Sequence, residues 1–79
     1  MKNSWINAEI ETPTDISLWG KASKDVILKI SDDYKRINNI KFDGNYLIGM
    51  YWHESKCFRT GLYMPNFYEM QGLQWQYCD

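Results

Sequence analysis

The sequence predicts a mostly β fold, a small antiparallel β-meander or partial barrel in which at most one short helical segment makes the class α+β. Three observations carry that prediction. Short runs rich in β-branched and aromatic residues recur at Val26-Ile27-Leu28-Lys29-Ile30, at Tyr46 to His53 and at Leu73 to Cys78. Asp43-Gly44 stands between apolar flanks at strand spacing, and Asp-Gly readily supplies the positive backbone angles of a tight turn. Finally, the polar Glu54-Ser55-Lys56 separates the Tyr46–His53 run from Cys57-Phe58-Arg59-Thr60, as in two antiparallel strands joined by a short turn.

Taken in order, Trp5 and Ile6 are expected to anchor the N-terminus to the core. Residues 8–19 read as an irregular clamped segment, because Pro13 lacks a backbone donor and breaks any helix through it; one helical turn is expected after it. Gly20 to Asp25 is a polar connection. Val26–Ile30 follows as a strand with Val26, Leu28 and Ile30 inward, and Ser31-Asp32-Asp33 reads as its closing turn. Tyr34 to Asn39 has no clear period. Residues 37–42, 46–53 and 57–61 are then expected side by side, with the Asp43-Gly44 turn joining the first two.

In the central strand Tyr46, Ile48, Met50 and Trp52 share one face, and Leu47, Gly49, Tyr51 and His53 the other. Both are apolar enough to need cover, one from the core and the other from the N-terminal segment or a partner. The expected scaffold is Val26, Leu28, Ile30, Ile40, Phe42, Ile48, Met50, Trp52, Phe58 and Trp75. Residues 61–72 form a long connection carrying Tyr63, Met64, Phe67, Tyr68 and Met70, which must rest on the scaffold or on another molecule. Leu73, Trp75 and Tyr77 then alternate as a last strand.

A chain of 79 residues is read as one domain spanning 1–79, too short to bury a large fraction of its surface. Its 13 Phe, Tyr and Trp residues compensate, since each ring can bury roughly 150–250 Å². The formal net charge of −1 argues against a general phosphate-backbone binder. The charge is uneven: residues 21–41 hold six cations against three anions, and the remainder three against seven. With only Cys57 and Cys78 and no apolar signal segment after Met1-Lys2, both thiols are expected reduced in a cytoplasmic protein; one late bridge between them is the alternative. No run is long enough to cross a membrane as a helix.

The chemistry-bearing residues are sparse. His53 is the only histidine, and with Cys57 and Cys78 it supplies at most three zinc ligands where a structural site takes four. Cys57 could approach His53 across the hairpin, as a thiol nucleophile needs, but no local nucleophile signature accompanies it. Asp32-Asp33 reads as turn chemistry and Glu9/Glu11 as an exposed face. The glycines are dispersed and make no phosphate-cradling loop. The expectation is therefore no enzyme, no metal and no cofactor. A contact surface of Tyr51, Arg59, Tyr63, Phe67 and Tyr68 is predicted instead, because aromatic residues and Arg give large contacts with few freedoms to lose. Stacking of single-stranded nucleic acid on such rings, with Lys56 and Arg59 on the phosphates, is the runner-up, and self-association the third reading.

The order Trp5-Ile6, Pro13, Val26-Ile27-Leu28, Met50-Tyr51-Trp52, Cys57-Phe58 and Leu73-Gln74-Trp75 resembles a short phage- and prophage-encoded domain family of unknown function. That family often places a proline after its last tryptophan, whereas Gln76-Tyr77-Cys78-Asp79 has none. The resemblance brings no catalytic residues. It implies an accessory protein in a bacterial cytoplasm that binds and inhibits or modulates a host protein complex, including a nuclease-based defence system.

Overall fold

The computed structural model describes residues 4–17, 20–61 and 64–78. It contains an open five-stranded antiparallel sheet in the order β1-β5-β2-β3-β4, built from β1 (Ile6–Asn7), β2 (Val26–Ile30), β3 (Tyr46–Trp52), β4 (Cys57–Arg59) and β5 (Leu73–Tyr77). One short helix, α1 (Asp32–Ile37), joins β2 to β3. The sheet is not closed into a barrel. Strands β2, β3 and β4 run as a meander, and β5 returns to the free side of β2, where β1 adds to it.

Strand β2 is as the alternation predicts: Val26, Leu28 and Ile30 are fully buried, and Ile27 and Lys29 point to the other face. In β5, Leu73 and Trp75 are buried, and the Trp75 indole donates to the Glu11 carbonyl at 2.8 Å, tying the N-terminal segment to the sheet. The Tyr46–His53/Cys57–Thr60 hairpin also forms. Trp52 faces Cys57 across a four-residue turn, with Lys56 at φ 56° and its amide donating to the Trp52 carbonyl at 2.8 Å.

Residues 37–42 are not a strand, and the reason lies just upstream. Ser31 is an N-cap whose hydroxyl accepts the Tyr34 amide at 3.0 Å. Asp32 and Asp33 fall in the first turn and Lys35 and Arg36 in the last, so the charges match the helix dipole at both ends. The helix buries Tyr34, and Asn38 ends it, its amide donating to the Tyr34 carbonyl at 3.0 Å; Asn39, at φ 58°, then turns the chain. The Asp43-Gly44 bend is held on α1, because the Lys35 ammonium donates to the carbonyls of Phe42 (3.2 Å) and Gly44 (2.7 Å). Asn45 then leads into β3 beside β2, with two 2.7 Å hydrogen bonds to the Ile30 backbone.

Among the described residues no helical turn follows Pro13; the turn lies before it, at residues 8–10, and 11–17 are without regular structure. One carboxylate holds this segment down. Asp15 accepts from the Tyr77 hydroxyl (2.6 Å), the Lys24 amide (2.8 Å) and the Ser17 hydroxyl (2.8 Å). Burial pushes the Asp15 carboxyl up, but these donors outweigh it and the net direction is down from the usual carboxylate range. Burial, with the Asp15 carboxylate as its acceptor, pushes the Tyr77 phenol up to about 12.

The central strand is turned over relative to the sequence expectation. Leu47, Gly49 and Tyr51 face the core, and Tyr46 and Ile48 are 58% and 61% exposed. Register fixes this. Leu47 and Gly49 lie opposite the buried Leu28 and Val26, and Tyr51 opposite the buried Phe58, and cross-strand partners share a face. Gly49 also allows β4 to approach, since a Cβ there would stand 2.4 Å from the Arg59 carbonyl oxygen and 2.8 Å from Thr60 Cγ2. Of the expected scaffold, Val26, Leu28, Ile30, Ile40, Phe58 and Trp75 are buried and Phe42 packs against them, while Ile48, Met50 and Trp52 belong to the opposite face.

Candidate functional site

The sheet has one covered face and one open face. The covered face meets Ala8, Tyr34, Ile40 and Phe67. Strand alternation sends Ile27 and Lys29 of β2, Tyr46, Ile48, Met50 and Trp52 of β3 and Arg59 of β4 to the open face; Cys57, opposite Trp52 on the same side, is fully buried, so the face is closed over at that end. Their rows follow the register: Lys29 beside Tyr46, Ile27 beside Ile48, Met50 beside Arg59. Gln74 and Gln76 of β5 continue the first two rows.

Two cation–ring pairs frame this face. At one end the Trp5 ring lies 5.8 Å from the Tyr46 ring at 32°, and the Lys29 ammonium sits 5.6 Å from the Trp5 centroid. At the other, the Arg59 guanidinium sits 4.7 Å from the Trp52 centroid. Ile48 stands between them, with Ile27 and Met50 half-buried at its sides. The strands carry two charged side chains here, Lys29 and Arg59, both cationic; Asp25 lies just before β2 begins. The solvent face of an antiparallel sheet ordinarily alternates to polar residues. This one sets Ile, Met, Trp and Tyr among Lys29, Arg59, Gln74 and Gln76.

The five residues read from sequence as a contact surface do not come together. Arg59 is exposed on the open face. Tyr68 is 61% exposed but lies beside α1, where it lines a hollow of about 370 Å³ with Asn38, Asn39, Asn66 and Glu69. Tyr51 and Phe67 are 7% and 1% exposed and are core: their burial under the sheet, with Tyr51 5.0 Å from Phe58 and Phe67 bridged to Phe58, takes them out of any contact surface. Tyr63 lies outside the described residues. The residues that do assemble around Arg59 are Tyr46, Ile48 and Trp52 of the central strand, of which Ile48 and Trp52 were expected in the scaffold, with Trp5, Ile27 and Lys29, which carried no expected contact role.

His53 acts as a clamp. Its Nε2 faces the Asp15 carbonyl at 2.7 Å, and because a carbonyl only accepts, that nitrogen carries the proton. Cys57 is a fully buried thiol, and Cys78 is exposed. Among the described residues no group of three His, Cys, Asp or Glu side chains is placed to hold a metal ion, and no helix is long and apolar enough to cross a membrane.

Comparison with protein-family models, with curated proteins and with solved structures returned no match for this chain. The fold and the open face define a small open-sheet β domain with an aromatic, cation-framed surface.

Proposed function

We propose that this chain is a protein-interaction module whose contact surface is the open face of the sheet. The observation that carries the reading is the concentration of the exposed Tyr46 and Arg59 and the half-buried Trp5 and Trp52 around a 61%-exposed Ile48 on one face. Trp, Tyr and Arg are the residues that most often dominate interface energetics, and contiguous exposed apolar surface marks interaction sites. The mechanism is occlusion or conformational trapping of the partner, without covalent chemistry. The resemblance to short phage-encoded domains supports a bacterial cytoplasmic setting and a host protein complex, such as a nuclease-based defence system, as the partner to be inhibited.

The test is a matched capture from bacterial lysate, with nuclease present, using wild-type protein and the Ile48→Glu and Tyr68→Glu variants. A stoichiometric partner held by wild type and by Tyr68→Glu but lost by Ile48→Glu supports the open face. Retention by a folded Ile48→Glu variant refutes it, and loss by Tyr68→Glu alone returns the surface to the 61–72 connection.

A further inference from the structure

Resting on that reading, we propose that the open face receives an amphipathic acidic helix with two carboxylates eleven residues apart. The spacing comes from the sheet itself. Lys29 stands beside Tyr46 and Arg59 beside Met50, so the two cations lie on opposite sides of β3. Four residues along β3 and two strand spacings across it separate their Cα positions by about 16 Å. A helix rises 1.5 Å per residue, so about 16 Å is about eleven residues, or three turns, which returns a side chain to the same face. Carboxylates at i and i+11 then meet Lys29 and Arg59, and apolar residues at i+4 and i+7 lie on Ile48 and its neighbours.

The other occupants fit less well. An extended peptide gains its ladder only at a sheet edge; laid across Ile27 and Ile48 it would press unpaired N–H and C=O groups against apolar surface, whereas a helix satisfies its own. A second copy related by a two-fold axis offers Lys29 and Arg59 a single anion beside the face, Asp25, and otherwise brings cation onto cation. Nucleobases stack on free ring faces, and here Lys29 and Arg59 already take one face each of Trp5 and Trp52. A helix layered on a sheet face is an ordinary way to bury both.

The experiment selects helical peptides from a randomised display library on the wild-type protein, removes binders of Ile48→Glu, and measures winners by fluorescence anisotropy beside a fluorescent oligo-dT. Circular dichroism first verifies that Ile48→Glu is folded. The expected winners carry Asp or Glu eleven residues apart around an apolar stripe, lose about tenfold in affinity when either carboxylate becomes an amide, and bind more tightly than the oligonucleotide. Winners that need Ile48 but lack the acidic pair overturn this inference and leave the interaction surface standing. Winners that ignore the folded Ile48→Glu change, found without that removal step, fell the surface itself. No enrichment, or tight salt-sensitive oligo-dT binding lost in Lys29→Ala and Arg59→Ala, overturns the helix in favour of no ligand or of nucleic acid.

Discussion

The orientation of β3 is tested by comparing Ile48→Ala with Ile30→Ala, the same chemical change on opposite faces of the sheet. Ile30 is fully buried, and truncating such a residue removes its transfer free energy and leaves a cavity, about 2–5 kcal/mol. Ile48 is 61% exposed, so only about two-fifths of a side chain worth roughly 1.5–3 kcal/mol when buried is at stake, giving about 1 kcal/mol without a cavity. Both changes lose similar strand propensity, which cancels in the difference. Urea unfolding followed by tryptophan fluorescence reads both values, with an unchanged slope required for the comparison. If Ile30→Ala leaves too little folded protein, Ile30→Val, expected at about 0.5–1.5 kcal/mol, replaces it against Ile48→Val, expected below about 0.5 kcal/mol. A loss at Ile48 equal to that at Ile30 would mean that Tyr46, Ile48, Met50 and Trp52 face the core, and the open-face site would go with it.

Gly49→Ala should destabilise by about 1–3 kcal/mol in the same assay, because its new methyl meets backbone of β4 rather than a side chain that can swing away. Ser31→Ala removes the cap of α1 and should lose about 0.5–2 kcal/mol, with Ser31→Asp restoring it. Asp15 has a folded pKa below its unfolded one, so its contribution is present above the ordinary carboxylate range and is lost as pH falls through the folded value; Asp15→Asn should flatten that acid limb of an unfolding-versus-pH series. Tyr34 runs the other way: burial, with the Glu69 charge second, raises it to about 12, so its contribution is intact below about pH 10 and lost between about 10 and 12. Tyr34→Phe should therefore shrink the alkaline fall in stability, and an unchanged fall would assign it to Tyr77.

Much of the sheet was legible because its strands obey local rules. Val26–Ile30 alternates cleanly, Leu73–Tyr77 does the same, and Glu54-Ser55-Lys56 marks the β3–β4 turn. The helix was missed although its capping signals stand in the sequence: Ser31, then Asp32-Asp33, then Lys35-Arg36. At six residues it is too short to show an apolar period, and Asp43-Gly44 offered a competing hairpin explanation for the same stretch. What decided between them was tertiary. Lys35 holds the Phe42 and Gly44 carbonyls, so the bend docks on a helix instead of closing a hairpin.

The site was illegible for a sharper reason. Both faces of Tyr46–Trp52 are apolar, so nothing within the strand says which is inward, and a single parity error moves every side chain to the wrong side of the sheet. That error placed Ile48 and Trp52 among the scaffold and Tyr51 among the contacts. The information needed lies in other strands. Val26 and Leu28 are inward by their own alternation, and pairing Leu28 with Leu47 and Phe58 with Tyr51 settles β3. Gly49 agrees, since a position facing a backbone 2.4 Å from its absent Cβ cannot be a solvent position. The residues exposed by this register are then larger and more aromatic than a solvated face requires. Stability of the isolated domain does not explain Tyr46 and Ile48 at more than half exposure, because side chains left in water contribute little to folding. Burial against a second molecule would use that surface, and under the proposed reading the two cations at its ends would set the spacing of that molecule's carboxylates.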